Sequence, residues 1–118
     1  MPATPAYRSL VAWQRADDLF VRLHRLTLVE FPAHQRFELG SQLRRAALSV
    51  PSNIVEGTAR THPQERRQFL RIAWSSLREA GYYVHVARRL EYISEELQFE
   101  LEAEIRKVAA PLLGLIRQ

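Results

Sequence analysis

The chain has 118 residues, 25% of them charged, a formal net charge of +4 and no cysteine. That length predicts one domain, residues 1–118, able to bury roughly two-thirds of its unfolded surface, and the missing cysteine excludes disulfides and thiolate metal sites. Four glycines and abundant Arg, Leu, Ala and Glu favour helices, while no apolar run nears the roughly 18 residues of a membrane span.

The N-terminus lacks the charged-then-apolar layout of a signal peptide, so the sequence predicts a cytoplasmic protein without a membrane partner. Its charge is unevenly placed. Residues 1–90 carry 14 Arg against 7 Asp or Glu, a balance of +7, and residues 91–118 carry 3 basic against 6 acidic residues, a balance of −3. Sixteen of the 17 basic residues are Arg, Lys107 being the other, and a guanidinium suits bidentate contact with phosphate or carboxylate better than an ammonium does. An anionic partner is one reading of this surplus; a solvated surface is the other.

In chain order, Met1 to Ser9, with Pro2 and Pro5, reads as an irregular lead-in. A first helix is expected from about Leu10 to Val29, burying Ala12, Trp13, Ala16, Leu19, Phe20, Leu23 and Leu26. Pro32 stops it, because the residue before a proline avoids the helical region. A second is expected over about His34 to Ala59. Leu39, Leu43, Ala46, Val50 and Ile54 recur at threes and fours along it, Gly57 suggests a terminal cap, and Pro51 falls inside the stripe. Proline removes a backbone donor and pushes against the carbonyl of Ala47, so a kink is predicted there, with Ser49, Ser52 and Asn53 able to bond freed backbone groups.

Thr61 with Gln64 reads as a capping box, and Pro63 in the first turn costs the third helix no hydrogen bond. Its predicted seam is Phe69, Ala73, Ser76, Ala80, Tyr83, Ala87 and Leu90. Ser94 with Glu95 and Glu96 opens a fourth helix whose inward residues are Leu97, Leu101, Ile105, Val108, Leu112 and Leu115. Pro111 and Gly114 predict a kink or fraying in its last turns. Four such helices on short connections bury their stripes together only as a bundle. The predicted fold is all-α, an antiparallel up-down-up-down four-helix bundle kinked at Pro51.

The run QLRRAALSVPSNIVEG at 42–57, followed by FLRIAWSSLREA at 69–80, is similar to the four-helix-bundle family (S23-like) first noted as products of intervening sequences in large-subunit ribosomal RNA genes. The Arg44-Arg45-Ala46, Asn53-Ile54 and Glu56-Gly57 landmarks carry the resemblance, which extends from the Leu10-Trp13-Ala16 opening to the last helix. That family in turn resembles the accessory protein of diversity-generating retroelements, a pentameric barrel of four-helix subunits with a basic surface. The resemblance implies a homo-oligomer, a pentamer, with nucleic acid and a reverse transcriptase or other protein as partners.

Some residues are not explained by a bundle core. At 100° per residue, Leu48 and Val55 fall on the outer side of the second helix, Leu70 and Trp74 on the flank of the third, and Phe99 on the outer side of the fourth. Single exposed apolar groups are ordinary, but several on successive helices predict a subunit interface. On the third helix Arg67, Arg71, Arg78, Tyr82, His85 and Arg89 share a narrow arc opposite the core. Over about 33 Å they form a row of cations with aromatics interposed, which a nucleic-acid backbone could follow. Arg8, Arg15 and Arg22, seven apart, suggest a parallel row on the first helix. Asn53 is expected to tie off the kink, and Glu56 to pair with an Arg of a neighbouring helix or subunit, unless the pair forms a polar site at the mouth of a pocket.

Catalysis finds little support. A metal site on a bundle calls for Glu-x-x-His pairs or two His at a spacing of four, whereas His24, His34, His62 and His85 are isolated. There is no Gly-rich phosphate loop. The sequence therefore predicts a non-enzymatic protein without cofactor or metal, a homo-oligomer binding nucleic acid, structured RNA, through Arg15, Arg22, Arg67, Arg71, Arg78, Tyr82 and Arg89. The alternative is a protein-interaction scaffold that uses its arginines for partner carboxylates, for example an accessory subunit of a reverse transcriptase.

Overall fold

Each apolar stripe is carried by a helix. The computed structural model, which describes residues 3–118, contains α1 (Val11–Val29), α2 (Leu39–Thr58), α3 (Pro63–Arg89) and α4 (Glu95–Ile116), with 3-10 turns at Ala6–Ser9 and Ala33–Gln35. Consecutive helices pack side by side and α4 returns against α1, which closes the up-down-up-down four-helix bundle. Leu23, Leu43, Ile54, Leu70, Leu101 and Leu112 are fully buried at its centre, each contributing about 1.5–3 kcal/mol of transfer free energy. Among the described residues, no helix is long and apolar enough to cross a membrane.

The helix ends correct several expectations. α2 starts at Leu39, not His34, because the chain after Pro32 first makes a 3-10 turn, with Gln35 N–H donating to Pro32 O at 2.9 Å. The cap of α3 is His62, whose Nδ1 accepts from Gln64 N–H at 3.3 Å, so the Thr61 capping box does not form; Pro63 does occupy the first turn. Ser94 caps α4 as expected, its Oγ accepting from Leu97 N–H at 3.1 Å. The end of α3 is closed by Tyr92 N–H on Ala87 O at 2.8 Å and Glu91 N–H on Arg88 O at 3.0 Å. This Schellman turn places Glu91 at φ 63°, a position usually given to glycine.

Gly57 is not a cap. It lies buried inside α2, where a Cβ would stand 3.1 Å from Arg66 O and 3.2 Å from Phe69 Cβ, so the missing side chain lets α2 and α3 approach closely. The α3 seam also differs from its prediction. Ala73, Ala80 and Ala87 are buried as expected, but Leu70, Leu77 and Val84 complete the seam, while Phe69, Ser76 and Tyr83 sit half-buried on its flank and Leu90 is exposed.

The two internal prolines are accommodated differently. Pro51 is buried within α2. Beside it, Ser52 Oγ donates to Leu48 O and Asn53 Nδ2 to Ser49 O, each at 2.8 Å, the local side-chain bonding that such short polar residues offer. Pro111 neither ends nor frays α4, which runs on to Ile116. Proline at 111 cannot donate to the carbonyl of Lys107, and that oxygen instead accepts from Arg15 Nη1 of α1 at 2.9 Å.

Candidate nucleic-acid interface

α3 is held by α2 on one flank and α4 on the other, and its remaining arc faces solvent. Arg71, Arg78, Tyr82, His85 and Arg89 are exposed along it and Arg67 is half-buried. Among the described residues the ion pairs are Arg22 with Glu100 and Glu104, and Arg60 with Glu56. None of the α3 arginines meets a carboxylate. Arg71 lines a shallow concavity of about 590 Å³ with Gln64, Gln68, Ile72, Ser75, Ser76 and Glu79; the single acidic residue leaves this surface rich in hydrogen-bonding groups. The rings of Tyr82 and His85 lie 6.1 Å apart with 25° between their planes.

The expected row of Arg8, Arg15 and Arg22 is only partly open, with Arg8 and Arg15 exposed and Arg22 paired. Arg15 is used on the Lys107 carbonyl. Arg22 donates from Nη2 to Glu100 at 2.8 Å and from Nη1 to Glu104, so two carboxylates outweigh its single charge. The hydrogen bond to Glu100 first, with Glu104 adding to it, raises the guanidinium pKa above its ordinary value against the opposing effect of partial burial. Arg8 is exposed, with its guanidinium 5.8 Å from the centroid of Tyr7.

Three of the four landmark residues of α2, Arg44, Asn53 and Glu56, make contacts within the subunit. Arg44 reaches under α1, where Nη1 donates to Thr27 Oγ1 at 2.9 Å and Nη2 to Arg36 O at 2.7 Å. Thr27, 1% exposed, is the one buried polar residue among those described, and its hydroxyl donates onward to His24 O. Gly40, one turn earlier, leaves space for this guanidinium, since a Cβ there would stand 3.1 Å from Arg44 Nη1. Arg45 is exposed. Asn53 Nδ2 also donates to Ser49 Oγ, which accepts from Ser76 Oγ of α3 at 2.8 Å. Glu56 pairs with Arg60, four residues on in the same segment, at 3.2 Å, not with a neighbouring helix.

The outward apolar set divides. Leu48 is 50% and Phe99 71% exposed, but Leu70 is fully buried and leaves the set. Trp74 is half-buried against the core, and Val55 lines a concavity with Tyr7 and Leu10 of the N-terminal segment. Both are turned partly inward because their positions flank the neighbouring element. Ile72, Val29 and Phe37 are exposed apolar residues that the sequence reading passed over. Ile72 falls on the helical wheel beside the expected Phe69 and Ser76 positions, where an apolar residue reads as core; Val29 and Phe37 lie near the α1/α2 connection, where a wheel gives no signal. Among the described residues no three His, Asp or Glu gather where they could hold a metal ion.

The bundle is similar to the crystal structure of a protein of unknown function from the S23 ribosomal protein family of Bacteroides thetaiotaomicron VPI-5482. The TM-score is 0.85 and the identity 21%, over 92% of this chain and 96% of that one, a likeness of fold. No functionally curated protein matches the chain. The family model described as 23S rRNA-intervening sequence protein matches residues 8–114, a span that takes in all four helices except the last two residues of α4, together with the α3 arginine row. The chain therefore belongs to the 23S rRNA-intervening sequence protein family.

Proposed function

We propose that the protein is a non-catalytic, homo-oligomeric helical bundle, a pentamer, that binds nucleic acid, structured RNA, through the Arg-rich outer face of α3. The observation that carries this reading is the set of four α3 arginines, Arg67, Arg71, Arg78 and Arg89, without a carboxylate partner among the described residues. Guanidinium groups in a row along a helix match the repeating charge of a phosphate backbone. One subunit's row binds weakly; repeated around a ring, the rows combine through effective concentration. Leu48 and Phe99 supply exposed apolar surface for assembly. The sequence has no base-reading motif, so phosphate charge and RNA shape govern binding.

A second reading, a protein-interaction scaffold such as an accessory subunit of a reverse transcriptase, is favoured by the exposure of Phe99 and Ile72. Light scattering on a sizing column, with and without a mixed RNA pool at about 50 and 200 mM salt, separates the two. The expected result is a discrete oligomer that takes up RNA only at the lower salt. Replacing Arg67, Arg71 and Arg78 by Glu should leave the oligomer intact and reduce RNA affinity by at least about tenfold. An oligomer indifferent to RNA supports the scaffold, and a monomer removes the avidity argument.

A further inference from the structure

Tyr82 is 62% exposed in the middle of the α3 row. A lone exposed tyrosine is ordinary, but this one is braced on two sides. The His85 ring lies nearly parallel to it at 6.1 Å, and the half-buried Tyr83 ring lies 6.2 Å away at 53°. The guanidinium–ring contacts among the described residues are Arg8 with Tyr7 and Arg60 with Phe69, so no arginine covers Tyr82. Arg78 stands about 6 Å before Tyr82 along the helix axis and Arg89 about 6 Å beyond His85. The sequence of groups is cation, ring, ring, cation, within about 16 Å.

We propose that Tyr82 and His85 form a stacking platform for an unpaired nucleobase, with Arg78 and Arg89 holding the phosphates on either side. This rests on the nucleic-acid reading above and narrows its ligand to single-stranded nucleotides, whether in a loop or bulge of RNA or in a single-stranded DNA. A ring on an outer helix ridge reaches the face of a base only when that base is out of its duplex stack, and the deep, narrow major groove of an RNA helix does not admit side chains. Stacking of this kind tolerates any sequence, because every base has a π-face.

The test uses Tyr82→Ala and Tyr82→Phe in the full chain, with Arg71→Glu as an electrostatic control. The probes are a short oligoadenylate RNA, its DNA counterpart and a blunt, fully paired RNA duplex of the same length. Tyr82→Ala should weaken both single strands by about tenfold and leave duplex binding and the melting temperature unchanged. Tyr82→Phe should retain wild-type affinity, and Arg71→Glu should weaken all three probes. If Tyr82→Ala has no effect on the single strands, or weakens the duplex equally, the platform is wrong while the basic face stands. A loss confined to RNA replaces stacking by a 2′-hydroxyl contact and overturns the platform as well. Wild-type protein that binds none of the probes overturns both proposals.

Discussion

Arg22 and Arg78 both lie on long helices of the bundle, yet Arg22 meets two carboxylates and Arg78 meets none. The difference lies in what packs beside them. α4 carries Glu95, Glu96, Glu100, Glu102 and Glu104 in its first half, and α1 lies against the side of α4 that holds Glu100 and Glu104. The outer arc of α3 turns away from that side. The acidic last quarter of the chain thus cancels the charge of Arg22 on α1 and leaves that of Arg78 standing on α3. Arg44 and Arg15 extend the contrast, since both bond within the bundle, the half-buried Arg44 to Thr27 and Arg36 and the exposed Arg15 to the Lys107 carbonyl.

Arginines bonded within the bundle should be felt in stability and those left without a partner in binding. The largest stability effect is expected at Arg44, whose two hydrogen bonds join α1, α2 and the turn between them. Arg44→Met keeps most of the apolar stem and removes both donors. The expected loss is about 2 kcal/mol, seen as a melting temperature lower by roughly 5–10 °C, with RNA affinity unchanged wherever the oligomer persists. An unaltered melting temperature would show that Thr27 and Arg36 manage without it and that the landmark arginine is not a structural clamp.

Next in size is the contact between Arg15 and Lys107 O, where a double-mutant cycle isolates the cause. Arg15→Ala should cost about 1 kcal/mol in urea unfolding. In the Pro111→Ala background the backbone itself supplies a donor for that carbonyl, and the cost should largely vanish. Equal costs in both backgrounds would mean that Arg15 acts on α4 through something other than the oxygen that proline leaves without a donor.

That contact also marks where reading the sequence stops. The four helices, most of their buried stripes, the Ser94 cap and the first-turn place of Pro63 follow from local spacing and capping chemistry. The continuation of α4 through Pro111 does not, because the group that rescues its turn lies 92 residues before Lys107 and belongs to a neighbour that no local pattern identifies. Gly57 is hidden for the same reason: glycine near a helix end suggests a cap, and only the approach of Arg66 and Phe69 shows it to be a packing residue. On α3 the buried seam lies one residue beyond the expected one at three positions. Phe69 and Tyr83 are aromatic and drew the stripe toward them, whereas the centre of a helix packed between two neighbours falls on Leu70, Leu77 and Val84. The basic face was legible as a row, but which row would stay unpaired depended on where the α4 carboxylates came to rest.

The smallest expected effect bears most directly on that last point. Arg22 and its partners are more than one-third exposed on two of the three side chains, 37% for Arg22 and 60% for Glu100, so solvent and salt screen the pairs strongly. Arg22→Gln should therefore cost no more than about 0.5 kcal/mol at low ionic strength, and less as salt is added. Its effect on RNA binding is the sharper readout. Neutralised by Glu100 and Glu104, Arg22 should contribute nothing to affinity, whereas Arg78→Ala in parallel should weaken binding and lower the salt slope by about one counterion. If the two substitutions weaken RNA binding alike, the carboxylates do not hold Arg22 back from phosphate, and the binding surface extends across α1 as well as α3.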